Sequence, residues 1–192
     1  VDRDIKRRNV PSWFRGALVS VTTREKTDET TYRLQLRRSL SETVNGALSY
    51  AHSKRGGSDY VTNVLNSGAT GSNLVAPLHL ADRERDLWRL ALDWTPTEPL
   101  SLQFAVENAT DLYPSRDFGP RNGKAQNYSV DAAYTFSDKW QGTAWFSRND
   151  TQIEQATRCV SSTTSCGTVP QNWSADLRNL GDAVGLGARS KP

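Results

Sequence analysis

Three features of this 192-residue sequence predict an all-β fold, an antiparallel up-and-down sheet of the kind that closes into a transmembrane β-barrel. Apolar and polar residues alternate with period two in successive segments. The connections between those segments alternate between short and long. Aromatic residues gather near the segment ends.

Successive side chains of a strand point to opposite faces, so period two marks a strand whose two faces meet different surroundings. In Thr31–Arg38, Tyr32, Leu34 and Leu36 oppose Arg33, Gln35 and Arg37. Val44–His52 sets Val44, Gly46, Leu48 and Tyr50 against Asn45, Ala47 and Ser49. Leu87–Thr95 sets Trp88, Leu90, Leu92 and Trp94 against Arg89, Ala91, Asp93 and Thr95. Leu100–Glu107 sets Leu100, Leu102, Phe104 and Val106 against Ser101, Gln103, Ala105 and Glu107. Gln126–Phe136 sets Tyr128, Val130, Ala132, Tyr134 and Phe136 against Asn127, Ser129, Asp131, Ala133 and Thr135. Trp140–Arg148 is less regular, because Trp145 falls on the otherwise polar side. A further strand over Asp182–Arg189 places Val184, Leu186 and Ala188 on one face and Arg189 on the other. Trp13–Thr22 shows no clean alternation and reads either as an early strand or, fitting better, as part of a long external loop after a strand that ends near Arg8. The expectation is a partial sheet of about seven or eight strands.

Ser39–Thr43, Pro96–Pro99 and Ser137–Lys139 are short and rich in turn formers. Ser53–Arg83, Asn108–Ala125 and Asn149–Asn172 are long and polar. An up-and-down meander then has every short turn at one end and every long loop at the other, as outer-membrane barrels do. Trp94, Phe136 and Trp140 lie beside the short turns, while Tyr50, Trp88 and Tyr128 lie toward the long loops. Two such girdles bound the apolar band of a membrane barrel. A soluble β-sandwich would use the same aromatics as one face of its core. Segments of roughly 8–11 residues suit a tilted crossing of the bilayer.

Composition narrows the field. No apolar run of membrane-helix length occurs, and mean hydropathy is −0.65. Helical spans are thereby excluded, but not a barrel, in which only alternate residues need be apolar. A formal charge of +3 makes no case for nucleic acid. Val1–Arg8 has neither the apolar core nor the cleavage site of a signal peptide, and Gly185–Pro192 stops within a strand–turn unit. The expectation is that residues 1–192 are part of a single larger barrel domain, cut at both ends.

The segments Leu34–Tyr60, Pro77–Trp94, Gly119–Gly123, Ser129–Trp140 and Gly181–Gly187, taken in order, resemble the MtrB/PioB family of decahaem-associated outer-membrane proteins. The resemblance covers about Thr31 to Pro192. It implies a barrel of the bacterial outer membrane with more strands than this chain can supply. It implies a sheath around a periplasmic multihaem cytochrome c for extracellular electron transfer, with an extracellular multihaem cytochrome docking outside. Haem would belong to the partner cytochrome, for the chain has no Cys-x-x-Cys-His attachment motif. Family members also carry an N-terminal Cys-x-x-Cys region that this chain lacks, as expected of a fragment.

Other chemistry is sparse. Cys159 and Cys166, the two cysteines, share a loop without histidine, which suits a disulfide in an oxidising compartment better than a metal site. His52 and His79 read as solvated residues. Nothing supports a nucleophile elbow, so no catalytic, cofactor-binding or metal-binding residue is assigned and no enzyme is expected. The sequons at Asn108, Asn127, Asn149 and Asn172 read as chance matches. On the barrel reading, Leu34, Leu36, Leu48, Trp88, Leu90, Leu92, Trp94, Phe104, Val106, Val130 and Tyr134 face lipid. Arg33, Gln35, Arg37, Arg89, Asp93, Gln103, Glu107, Asp131 and Arg189 then face the lumen. The competing readings are a general diffusion porin and a soluble β-sandwich binding module.

Overall fold

The computed structural model describes residues 3–8, 21–63, 78–114, 119–159 and 171–190. Its elements are β1 (Arg3–Arg8), β2 (Val21–Arg24), β3 (Lys26–Ser39), β4 (Val44–Gly57), β5 (Tyr60–Asn63), β6 (Arg83–Thr97), β7 (Leu100–Leu112), β8 (Gly119–Thr135), β9 (Trp140–Cys159) and β10 (Gln171–Ser190). Eight of them form one sheet in the order β1-β3-β4-β6-β7-β8-β9-β10, every adjacent pair antiparallel. The pair β2–β5 continues the β3–β4 hairpin beyond an irregularity, where Ser58 N donates to the Lys26 carbonyl at 3.2 Å.

Turn chemistry sets this order. In the β3–β4 turn, Leu40 N donates to the Val44 carbonyl at 2.8 Å. Between β8 and β9, Phe136 N donates to the Trp140 carbonyl at 3.0 Å and Trp140 N to that of Ser137 at 3.2 Å. Pro96 lies within the register shift between Trp94 and Thr97, and Pro120 borders the shift between Pro120 and Asn122. Proline has no N–H to give a ladder, and a bulge is where its absence is tolerated.

The strands run further toward the long loops than the alternation predicts. β9 and β10 are each 20 residues long, about twice the 9–11 of a tilted crossing. Most of the expected loop Asn149–Asn172 is therefore strand, as is most of Asn108–Ala125. Val21–Arg24, at the end of the stretch that reads as early strand or loop, forms β2, while β1 ends at Arg8 as read. The reason is physical: alternation records two unlike solvents, and where both faces meet water it fades while the hydrogen-bonded ladder continues.

Register shows what the apolar band does across the sheet. Tyr32, His52, Asp86, Thr110, Lys124, Gln152 and Arg178 form one row of cross-strand partners on the even-numbered face. Measured from that row, the band begins at Tyr32 on β3 and two residues further on in β4 and β6, at Tyr50 and Trp88. It begins four residues on in β7 and β8, at Val106 and Tyr128, and six on in β9 and β10, at Phe146 and Val184. The drift is one residue per strand. With about 3.3 Å per residue and about 4.8 Å between strands, it corresponds to strands inclined by about 35° to the band's normal.

No second sheet covers this face among the described residues. Leu34 is 75% exposed and Leu186 86% exposed. The buried apolar side chains of the described residues are Ala51, Leu80, Ala81, Ala109 and Tyr113, all at the long-loop end of the opposite face. Within the sheet, close packing falls on glycines. A Cβ at Gly185 would lie 2.3 Å from Nε1 of Trp145, whose indole covers that position from the neighbouring strand. Gly185→Val should therefore destabilise the full-length protein, refolded in lipid vesicles, by about 1–3 kcal/mol. Urea unfolding would measure it, and Trp145→Ala in the same background should recover part of the loss.

Candidate functional site

The odd-numbered face of β3, β4, β6, β7 and β8 forms a concave trough of about 960 Å³. The ladders bring residues from distant parts of the sequence into rows across it. One row reads Gln35, Ser49, Arg89, Glu107, Asn127 and Asn149. The next reads Arg37, Ala47, Ala91, Ala105, Ser129, Ser147 and Ala183, and a third Ser39, Asn45, Asp93, Gln103, Asp131, Trp145 and Gly185. Strand pleating puts every second residue on this face, and in these rows those residues are small or polar apart from Trp145.

Of the predicted polar-face residues, Arg33, Gln35, Arg37, Arg89, Asp93, Gln103, Glu107 and Asp131 line the trough together. Arg189 lies apart from them, near the β8–β9 turn, where its Nε donates to Gln141 Oε1 at 2.6 Å. Arg89 and Glu107 are paired across β6 and β7 at 2.9 Å, with side chains 52% and 31% exposed. A pair this open contributes about 0–1 kcal/mol, so it balances charge more than it stabilises the fold. Basic and acidic groups are interspersed along the trough.

The predicted apolar-face residues occupy the even-numbered face of the same strands. Leu34, Leu36, Leu48, Trp88, Leu90, Trp94, Val106, Val130 and Tyr134 are exposed there, and Leu92 and Phe104 partly so. At its long-loop border Tyr50 and Trp88 stack with ring centroids 4.6 Å apart. Beside them Tyr50 donates its hydroxyl proton to Asp86, and His52 Nδ1 lies 2.9 Å from the same carboxylate oxygen. His52 thus has a carboxylate partner, and His79 is exposed. At the short-turn border Tyr134 and Phe136 meet edge to face at 5.0 Å.

The expected Cys159–Cys166 disulfide lies outside the described residues, apart from the backbone of Cys159, which ends β9 opposite Gln171. Among the described residues no cluster of three His, Cys, Asp or Glu side chains is placed to hold a metal ion. Sequence reasoning missed an arginine–carboxylate cluster formed by Arg24, Glu29, Arg55, Asp82, Arg83 and Asp111. Its members are scattered over 88 positions from Arg24 to Asp111, and only the register joins them.

Residues 3–191, nearly the whole chain, match the profile of the MtrB/PioB outer-membrane β-barrel porins. The chain belongs to the MtrB/PioB family. Outer membrane protein MtrB of Shewanella baltica (strain OS185) is 27% identical over 164 residues, 85% of this chain and 22% of that protein. The chain thus spans about a fifth of the length of that relative. As an MtrB/PioB protein it is an outer-membrane β-barrel protein, and the drifting apolar band gives its strands a definite inclination. Polarised infrared spectroscopy of the full-length MtrB/PioB protein in oriented bilayers should give a mean strand tilt of about 35–45°. A tilt below about 20° would contradict the drift.

Proposed function

We propose that this chain forms part of the wall of a larger outer-membrane barrel that encloses a multihaem cytochrome c and so passes electrons across the membrane. The trough carries the reading. Among the described residues it is a concave wall of mostly small and polar side chains, backed by an exposed apolar band. The band is the lipid face and the trough the lumen face. An open row such as Ala47, Ala91, Ala105, Ser129 and Ser147 lets the backbone of an enclosed protein come close, while the charged residues above and below it hydrate or hydrogen-bond that protein.

The chain's role on this reading is structural and not enzymatic. Electrons need redox centres to cross the apolar layer. The sequence offers two Cys, two His, no Met and no haem-attachment motif, so haem on the enclosed partner supplies the path. An extracellular multihaem cytochrome on the long-loop side would continue it.

Two measurements test the wall and its contents separately. Leu92→Arg puts a charge into the band between Leu90 and Trp94 and should cost about 2–4 kcal/mol near the bilayer midplane. Ala91→Arg, on the trough face, should cost clearly less, and equal costs would remove the lipid-face assignment. For the contents, the full-length protein purified from its native membrane should carry a c-type haem spectrum in fixed ratio to the barrel. Liposomes holding it should reduce an enclosed dye from outside donors. A haem-free barrel that conducts small solutes would make it a diffusion porin.

A further inference from the structure

Beyond the trough, the long-loop end of the same face is covered. At the long-loop end, Leu78–Asp82 lies across the odd-numbered face instead of standing clear of it. Arg55 of β4 donates from Nε to the Ala81 carbonyl at 2.9 Å and from Nη2 to the Leu78 carbonyl at 2.8 Å. Arg24 of β2 donates from Nη1 to the Leu80 carbonyl at 3.2 Å, pairs with the Asp82 carboxylate at 2.5 Å, and gives its Nε–H to the Ser58 carbonyl at 2.6 Å. Two guanidinium groups thereby hold three carbonyls of one short segment.

The layer beneath is also charged. Glu29 lies 3.2 Å from Arg83 and 3.9 Å from Arg55, and Asp111 lies 3.6 Å from Arg85 and 3.9 Å from Arg83. Leu80 and Ala81 are buried over it, Ala81 against Tyr113. Burial pushes the Tyr113 phenol above the usual tyrosine range, so the ring stays uncharged beside Asp111. A loop with nothing to hold it would leave these carbonyls and charges in water, where solvation costs nothing. Here a planar donor fork, suited to holding two acceptors at fixed geometry, fastens the backbone over desolvated charge. Breaking one member would strand the others, which makes the arrangement rigid.

We propose that Leu78–Asp82 is a fixed strap on the inner wall at the long-loop end of the barrel, an arginine-clamped narrowing that limits the passage of small hydrated solutes. Its exposed residues are Leu78 and His79, and its base is the long-loop end of the odd-numbered face, beyond the trough. This goes beyond the sheath reading and rests only on the trough facing the lumen, which the Ala91→Arg and Leu92→Arg comparison tests independently.

The test uses full-length protein, with whatever co-purifies in its lumen, reconstituted into liposomes and assayed for iodide leak. Replacing both clamps, Arg24→Ala with Arg55→Ala, should raise the leak by about twofold or more, and Arg55→Lys, which keeps the charge but loses the fork, should fall between. In a second variant, Leu78→Cys, coupling a bulky thiol reagent should lower the leak, whereas the same reagent on the parent protein, with its native cysteines, should not. An unchanged leak in an inserted double variant overturns the strap. If the double variant does not insert, an unchanged leak after labelling Leu78→Cys overturns it instead. A haem spectrum of the same samples separates the two readings: strap-dependent leak without haem sinks the sheath alone, and haem with strap-independent leak sinks the strap alone.

Discussion

In hydrocarbon, an unpaired backbone N–H or C=O costs several kcal/mol, and water is not there to take its place. β3, β4, β6, β7, β8 and β9 meet that constraint by pairing along both edges. Everything else in the chain is arranged around this ladder. Its register fixes which side chains share a face. Its bulges are where Pro96 and Pro120 are tolerated. Its antiparallel sense allows turns as short as Glu98–Pro99. Side chains are then free to answer to solvent alone, and the sheet needs no packed core of its own.

That division explains what the sequence reveals and what it conceals. Between Trp88 and Trp94, lipid-like and water-like surroundings differ so sharply that each residue declares its face. Above Asp86 the contrast ends, and β6 continues through Arg83–Arg85 with no alternation to betray it. β9 behaves alike beyond Arg148. The alternation therefore measures the thickness of the apolar layer, not the length of the strand, and the polar ends of the strands resemble loop for that reason. Trp145 breaks the pattern because it answers to a neighbour, Gly185, rather than to a solvent.

The arginine cluster was illegible for a different reason. Arg24, Arg55 and Arg83 are separated by 31 and 28 positions, with no spacing that marks a site. Glu29, Arg55 and Arg83 become neighbours because β3–β4 and β4–β6 pair in one register. A one-residue slip in either hairpin would send Arg55 to the opposite face and leave the carbonyls of Leu78 and Ala81 without their donor. The corner thus depends on the same ladder that the apolar band depends on, although no local signal reports it.

The drift of the band also sets the depth of each residue on the odd-numbered face, the proposed inner wall. Because the band advances one residue per strand, residues in a common row do not lie at a common depth. Following the drift instead, Arg33, Ser49, Arg89, Ala105, Ser129, Trp145 and Gly185 share a level near the long-loop side. Arg37, Asn45, Asp93, Ser101, Ala133, Gln141 and Arg189 share one near the short turns, which places Arg189 beside Arg37 and Asp93 in depth although it lies outside their trough. Between them comes Gln35, Ala47, Ala91, Gln103, Asp131, Thr143 and Gly187, a level whose one charge is Asp131. A charge in a wall one strand thick lies closest to hydrocarbon at mid-depth, and its electrostatic penalty falls toward either interface. The wall accordingly keeps most of its charges near the two ends of the crossing and lines the middle with small or neutral groups. On the proposed sheath reading, a protein partner would be held by polar contacts near the mouths and by close, nearly neutral approach between them.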